Sequence, residues 1–226
     1  MKRVINTKPL LVFGTADFAD IVTNLIENSL KSEIAAYVLD DNYIEENSLK
    51  YNNKPIVRTS DVYRLYPPNE YDITIGFIGT KMFKVRAEKL QLFKNLGYDL
   101  PNLIHQTSVI STYQMGYGNI ILENCVISYG TNFGNGNIMW PNSSINHHNI
   151  VGNYNNISPS VLTSGGVIIG NNCFLGNNST YKNKVIVADY SFIGAGSYIS
   201  KNTDKFGVYV PQRTVKLEGK TSFDFK

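Results

Sequence analysis

From about residue 109 to residue 204 a branched or bulky, mostly apolar side chain returns at every sixth position. The series reads Val109, Met115, Ile121, Ile127, Phe133, Met139, Ile145, Val151, Ile157, Thr163, Ile169, Leu175, Tyr181, Val187, Ile193 and Ile199. Four places after many of these the residue is compact: Cys125, Thr131, Ser143, Val161, Val167, Cys173, Ser179, Val185, Ser191, Ser197 and Thr203. Glycine often follows the apolar position directly, as at Gly170, Gly176 and Gly194. A helix repeats near 3.6 residues and a strand near 2, so a period of six fits neither. A fixed short period marks a repeat architecture. It predicts a chain wound into triangular coils of about 18 residues, each side a short strand followed by a turn.

The preceding residues do not keep this beat. Pro9 to Phe13 is a short apolar run ending at Gly14, which reads as a buried strand entering a turn. Asp17 to Leu30 places Phe18, Ile21, Val22, Leu25 and Ile26 at helical spacing. Ile34 to Leu39 is a second strand, closing on Asp40 and Asp41. Ile73 to Ile78 is another, leading to Gly79 and Thr80. A helix then spans Lys81 to Leu96, with Gly97 as its C-terminal stop. Strand alternating with helix predicts a small parallel sheet with helices on its faces, a Rossmann-like α/β domain. Asn102 to His105 crosses into the repeat. The division is therefore 1–105 for the α/β domain and 106–226 for the all-β repeat domain.

Bulk composition narrows the function classes. The chain has 226 residues, 42% hydrophobic and 17% charged, which suits two modest domains with real cores. A formal charge of +3 without any basic block gives no reason to expect nucleic acid as a partner. No apolar run reaches the roughly 18 residues that span a bilayer, and the N-terminus lacks a signal-peptide pattern. A cytoplasmic protein without membrane insertion is the expectation. Cys125 and Cys173 both occupy the compact position and read as buried space-filling thiols, with neither disulfide nor metal expected. The abundant asparagines suit tight corners that need left-handed backbone angles.

Three sets of residues can carry chemistry. Gly14 and Thr15 lie between the first strand and its helix, where a phosphate loop would sit. The glycine fingerprint is reduced there, and an ordinary strand-to-helix turn is the alternative. Asp40 and Asp41 stand at a strand end where an acidic side chain can hold a ribose hydroxyl or a base edge, or can simply face solvent. His147 and His148 adjoin at a predicted corner of the coil, outside the packed interior. Imidazole can take a proton from an amine or hydroxyl as it attacks a thioester; an exposed polar corner pair is the alternative. One coil further on, Gly165 and Gly166 would stack on the two histidines and leave a groove. A Gly165 amide there can meet an oxyanion. His105 reads as a junction residue bonded to backbone.

These residues together resemble the bacterial nucleotide-sugar acetyltransferases of the bacillosamine and sialic-acid pathways. The likeness covers nearly the whole chain: the strand-turn-helix start, Asp40-Asp41, Tyr71-Asp72 leading to Gly79, Asn102 to His105, and the unbroken repeat. Ile145 to Gly152 looks like the family's active-site coil, and Ile169 to Gly176 like the next one. The resemblance implies a left-handed parallel β-helix and a homotrimer with acetyl-CoA lying between neighbouring chains. It implies a nucleotide-linked amino sugar on the first domain, near Gly14, Thr15, Asp40, Asp41, Gly79 and Thr80. It places His147 on the catalytic base, and Asn156, Gly165 and Gly166 near the cofactor. No metal is implied.

Several positions depart from the family. His148 replaces the usual acidic partner of the base, and Asn156 replaces a histidine near the thioester. Phe18 replaces a polar turn residue, and Val208 to Arg213 lacks the usual glycine-rich close. The leading expectation is N-acetylation of a nucleotide-linked 4-amino-4,6-dideoxy sugar. Sugar O-acetylation, a decayed binding or assembly module, and a dehydrogenase built on the first domain are the alternatives.

Overall fold

The computed structural model describes residues 8–44, 49–79, 82–112, 114–212, 214–219 and 221–224. Short apolar runs bounded by glycine or acidic turns become β1 (Leu10–Phe13), β2 (Ile34–Leu39) and, after a polar hairpin, β3 (Lys50–Tyr51), β4 (Lys54–Arg58) and β5 (Asp72–Ile75). The sheet order is β3-β4-β2-β1-β5, parallel except for the β3–β4 hairpin. Helix α1 (Asp17–Asn24) runs on through a π turn at Leu25–Ser29. It covers one side of the sheet, while α2 (Thr59–Leu65) and α3 (Lys84–Asn95) cover the other. Gly97 ends α3 at φ 91°, its amide on the Lys94 carbonyl. The sequence expectation for this domain holds for β1, β2, β5, α1 and α3. It missed β3, β4 and α2, whose segments are short and largely polar or charged. Lys81, the expected start of the last helix, lies outside the described residues. Connections leave β1 toward β2 on one side and reach β5 on the other, so the strand order reverses between β1 and β5. Ligands of open parallel sheets sit at such reversals.

The remainder is a left-handed parallel β-helix. Its three faces are stacks of two-residue strands. Among the described residues face 1 has seven, from Leu103–Ile104 to Val208–Tyr209; face 2 has six, from Val109–Ile110 to Tyr198–Ile199; face 3 has five, from Gln114–Met115 to Ile186–Val187. The strands stack in parallel register, as in Ile121–Met139–Ile157–Leu175 on face 1. The first strand of face 1 begins at Leu103, slightly before the division expected at 105. The second residue of each strand points inward, and this column forms the core together with Cys125 and Cys173. Both thiols are free and fully buried.

One position of the six-residue series is corrected. Val109 is 56% exposed, whereas Ile110 pairs with Ile127 and packs against the core. Only five steps separate the inward Ile110 from the inward Met115, so the first coil is one residue short at that corner.

Corners are made by a second regularity. Every sixth residue from Gly118 to Gly196 has a positive φ, including Asn124, Asn142, Asn172 and Asn178. Asparagine also works inside. Asn102, Asn119, Asn137 and Asn155 form a ladder, each side-chain carbonyl accepting the backbone amide of the next rung, and Asn155 that of Cys173. Asn119, Asn137 and Asn155 give their amide protons to the carbonyls of Gly134, Gly152 and Gly170. Buried polar groups are thereby satisfied coil after coil.

The α/β domain sits on face 1. Outward-facing Ile120 and Ile138, with Leu122, join Phe18, Ala19 and Val22 of α1 and Ile26 of the π turn in one buried cluster. Phe18 lies against Trp140, ring centroids 5.4 Å apart. Further along, Phe83 stacks on Phe174 and Phe174 on Phe192, and Asn172 donates to the Met82 carbonyl. Among the described residues no helix is long and apolar enough to cross a membrane.

Candidate active site

His147 and His148 lie between the face 2 strand Ser144–Ile145 and the face 3 strand Ile150–Val151, at an exposed corner. His148 takes the positive-φ place of its coil, at 57°. The same corner is occupied by Tyr129 and Gly130 in the coil before, and by Gly165 and Gly166 in the coil after. A Cβ built on Gly165 would stand 2.6 Å from His147 Nε2, and one built on Gly130 would stand 2.8 Å from His148 Cδ2. Each imidazole therefore rests on a glycine of a neighbouring coil, the two pointing in opposite directions along the helix axis. Gly130 and Gly166 also serve positive φ, but Gly165 does not. Space for the His147 ring is the constraint that Gly165 meets.

The two Nδ1 atoms are 3.0 Å apart, the distance of a shared proton. If His147 donates, its Nε2, above Gly165, is the unprotonated nitrogen. Tyr129 packs edge-on against His148, with ring centroids 5.9 Å apart, and its carbonyl accepts the His148 amide. A cleft of about 200 Å³ opens beside Tyr129 and Gly130, lined also by Ser111, Thr112, Gln114 and Thr131. It lies at the corner where the first coil is short. Tyr129 escaped the sequence reading, although counting one coil back from His147 finds it. The Gly166 amide is bonded to the His147 carbonyl at 3.0 Å, so of the two glycine amides only that of Gly165 remains for an oxyanion.

Asn156 is not at this corner. It is an outward residue of face 1, only 3% exposed, beneath the α/β domain. Its carbonyl accepts Trp140 Nε1 at 2.9 Å, and its amide donates to Ser158 Oγ at 3.0 Å. Within one chain it packs at the domain junction, apart from the histidine corner.

The α/β domain gathers most of its expected residues at the carboxyl edge of the sheet. Gly14 follows β1 at φ 116° and faces the Gly76 carbonyl beyond β5, where an added Cβ would approach to 3.1 Å. Thr15 is half-buried beside it, and Gly79 closes the β5 turn at φ 106°. Thr80 lies outside the described residues. Asp40 and Asp41 end β2 but are already engaged. Asp40 pairs with Lys89 at 2.5 Å and accepts Thr59 Oγ1. Asp41 accepts the Ser60 hydroxyl and amide, which hold its carboxyl below the usual range. The first turn of α1 carries Asp17 and Asp20, so its N-terminus does not favour a phosphate. His105 accepts the Thr107 amide as expected of a junction residue. Among the described residues no three His, Cys, Asp or Glu side chains converge as a metal site requires.

A family model, the bacterial transferase hexapeptide with six repeats, matches residues 166–201. No curated protein matches the chain in sequence. Solved structures match at both domains. The acetyltransferase domain of PglB from Neisseria gonorrhoeae FA1090 superposes with a TM-score of 0.76 at 20% identity, over 91% of this chain and 97% of that one. The same domain was also solved with acetyl coenzyme A, at a TM-score of 0.71 and 21% identity over 86% of this chain and 93% of that one. A histidine-to-asparagine variant of perosamine N-acetyltransferase from Caulobacter crescentus, in complex with CoA and GDP-perosamine, gives 0.73 at 16% identity, over 91% and 95%. The fold is theirs. At these identities the likeness is one of architecture: the same α/β cap on the same coiled β-domain, in the same order.

Proposed function

We propose that this chain moves the acetyl group of acetyl-CoA onto the amine of a nucleotide-linked 4-amino-4,6-dideoxy sugar, with His147 as general base. The observation that carries this is the glycine-seated imidazole pair on an exposed corner of a hexapeptide β-helix. Structures with this architecture hold acetyl coenzyme A, or CoA with GDP-perosamine, which supports both halves of the substrate pair.

His147 Nε2 takes the proton as the sugar nitrogen attacks the thioester carbonyl. The carbonyl electrons move onto oxygen, where the Gly165 amide can donate a hydrogen bond. The C–S bond then breaks, CoA leaves as thiolate and collects the proton, and the amide product remains. His148 accepts the Nδ1–H of His147, which orients the ring and spreads the charge that His147 acquires. A carboxylate would do this more strongly. The nucleotide belongs at the reversal between β1 and β5, near Gly14, Thr15 and Gly79, with Asp40 and Asp41 at its rim.

A homotrimer completes the site in this scheme. Outward residues flanking the histidine corner are apolar and exposed: Ile150, Ile168 and Ile186 on face 3, Leu162 and Tyr198 on face 2. Contiguous exposed apolar surface of this kind marks an interface, and acetyl-CoA would lie in the groove it makes with a neighbour. The test is thiol release from acetyl-CoA with UDP-, dTDP- and GDP-linked 4-amino sugars. Turnover that requires the amine supports N-acetylation. Turnover only on sugars without one assigns O-acetylation, and no turnover on any contradicts an enzymatic role.

A further inference from the structure

Arg86, on α3, is 1% exposed and is among the largest fully buried side chains of the molecule. Its Nη1 donates to the carbonyls of Ile75 at 2.8 Å and Phe77 at 2.7 Å, and its Nε to that of Gly136 at 3.3 Å. Its Nη2 is buried with no partner. Among the described residues no carboxylate pairs with it. Burial pushes the guanidinium down to about 9, still above neutral pH, so the charge persists. Buried charges are normally paired, because desolvation is costly. An isolated cation held at such cost calls for a compensating anion.

Its place in the fold says where that anion belongs. Ile75 and Phe77 flank Gly76, and the Gly76 carbonyl is what Gly14 faces across the β1–β5 reversal. Strand ends present carbonyl oxygens, which repel phosphate. Arg86 draws two of them to itself from behind and adds a positive field in a medium of low dielectric. Lys89, one turn further along α3, is neutralised by Asp40; Arg86 is not.

We propose that Arg86 is the buried counter-charge for the diphosphate of the nucleotide sugar, a positioning residue beneath the crevice that acts on the ligand through field and carbonyl orientation. It rests on the substrate class proposed above and adds the group that recognises the anionic part.

The experiment compares UDP, GDP and dTDP with their uncharged nucleosides, by calorimetry on the full chain. The wild type should prefer a diphosphate over its nucleoside, and Arg86→Met should reduce that preference by roughly tenfold or more, leaving nucleoside affinity unchanged. Arg86→Lys, which keeps the charge and loses the fork, should retain most of the preference. Equal loss for nucleoside and diphosphate in Arg86→Met, or a lost preference in Arg86→Lys, would overturn the proposal and leave the substrate class standing. If Arg86→Met does not fold, the lysine variant decides. A wild type that binds none of the three diphosphates would refute the substrate class and this proposal with it.

Discussion

The His147 imidazole lies over the α-carbon of Gly165, one coil away, so closely that a Cβ there would stand 2.6 Å from Nε2. The backbone of Gly165 is not left-handed, and the atoms an added side chain would meet first are those of the His147 ring. Gly165→Ala should therefore fold normally and lose activity by tenfold or more, since a misplaced base costs on the order of 10²-fold. Gly196→Ala is the complement. Its φ of 73° is left-handed and nothing lies within 4 Å of an added Cβ. It should cost about 1 kcal/mol of stability and leave turnover unchanged. Thermal unfolding and steady-state kinetics on both variants separate the two effects.

The cysteines should be inert and should register in the pH dependence of stability. Burial pushes the thiols of Cys125 and Cys173 from an ordinary 9.0 up to about 11. Between these values the unfolded chain loses thiol protons that the folded chain keeps, so stability falls as pH rises. The slope is at most about 1.4 kcal/mol per pH unit for each thiol. Replacing both by alanine should flatten the slope between pH 9 and 11, as denaturant titrations would show. Below pH 9 the native protein should not react with a thiol reagent, whereas the denatured chain should expose both thiols.

The internal asparagine ladder should be worth more than any one surface contact. Asn137 accepts the Asn155 amide and donates to the Gly152 carbonyl, fully buried. Asn137→Ala strands both partners and should destabilise by about 2–4 kcal/mol, measurable by urea unfolding. Asn124→Ala, at an exposed corner with φ 55°, should cost only about 1 kcal/mol, the strain of a left-handed angle.

If the apolar rows beside the histidines are an interface, light scattering should give a trimer at micromolar protein. Ile168→Glu should dissociate it and abolish acetyl transfer, while each chain keeps its β-sheet circular dichroism.

The coil was legible because each of its sides must bury one residue, and that demand is printed in the sequence from Met115 to Ile199. It was misread at Val109. Val109 and Ile110 are both branched and apolar, and extending the beat backward selects the wrong one; the register there is set by pairing with Val126 and Ile127. Similar reasoning put the two histidines on a corner with Gly165 against His147, because coil arithmetic fixes stacking; it erred for His148, which rests on Gly130 of the coil before, while Gly166 faces Lys184. It could not foresee that Asn156 faces the α/β domain and is held by Trp140, since which face is covered depends on a docking no repeat encodes. Nor did it reveal Arg86, whose sequence surroundings read as an ordinary charged helix.

The most direct measurement compares turnover of wild type, His147→Ala and His148→Ala with acetyl-CoA and the preferred amino sugar. His147→Ala should lower kcat by roughly two to four orders of magnitude, and His148→Ala by clearly less, since it orients and does not take the substrate proton. An undiminished kcat in His147→Ala, or a greater loss in His148→Ala, would contradict the assignment of His147 as the base.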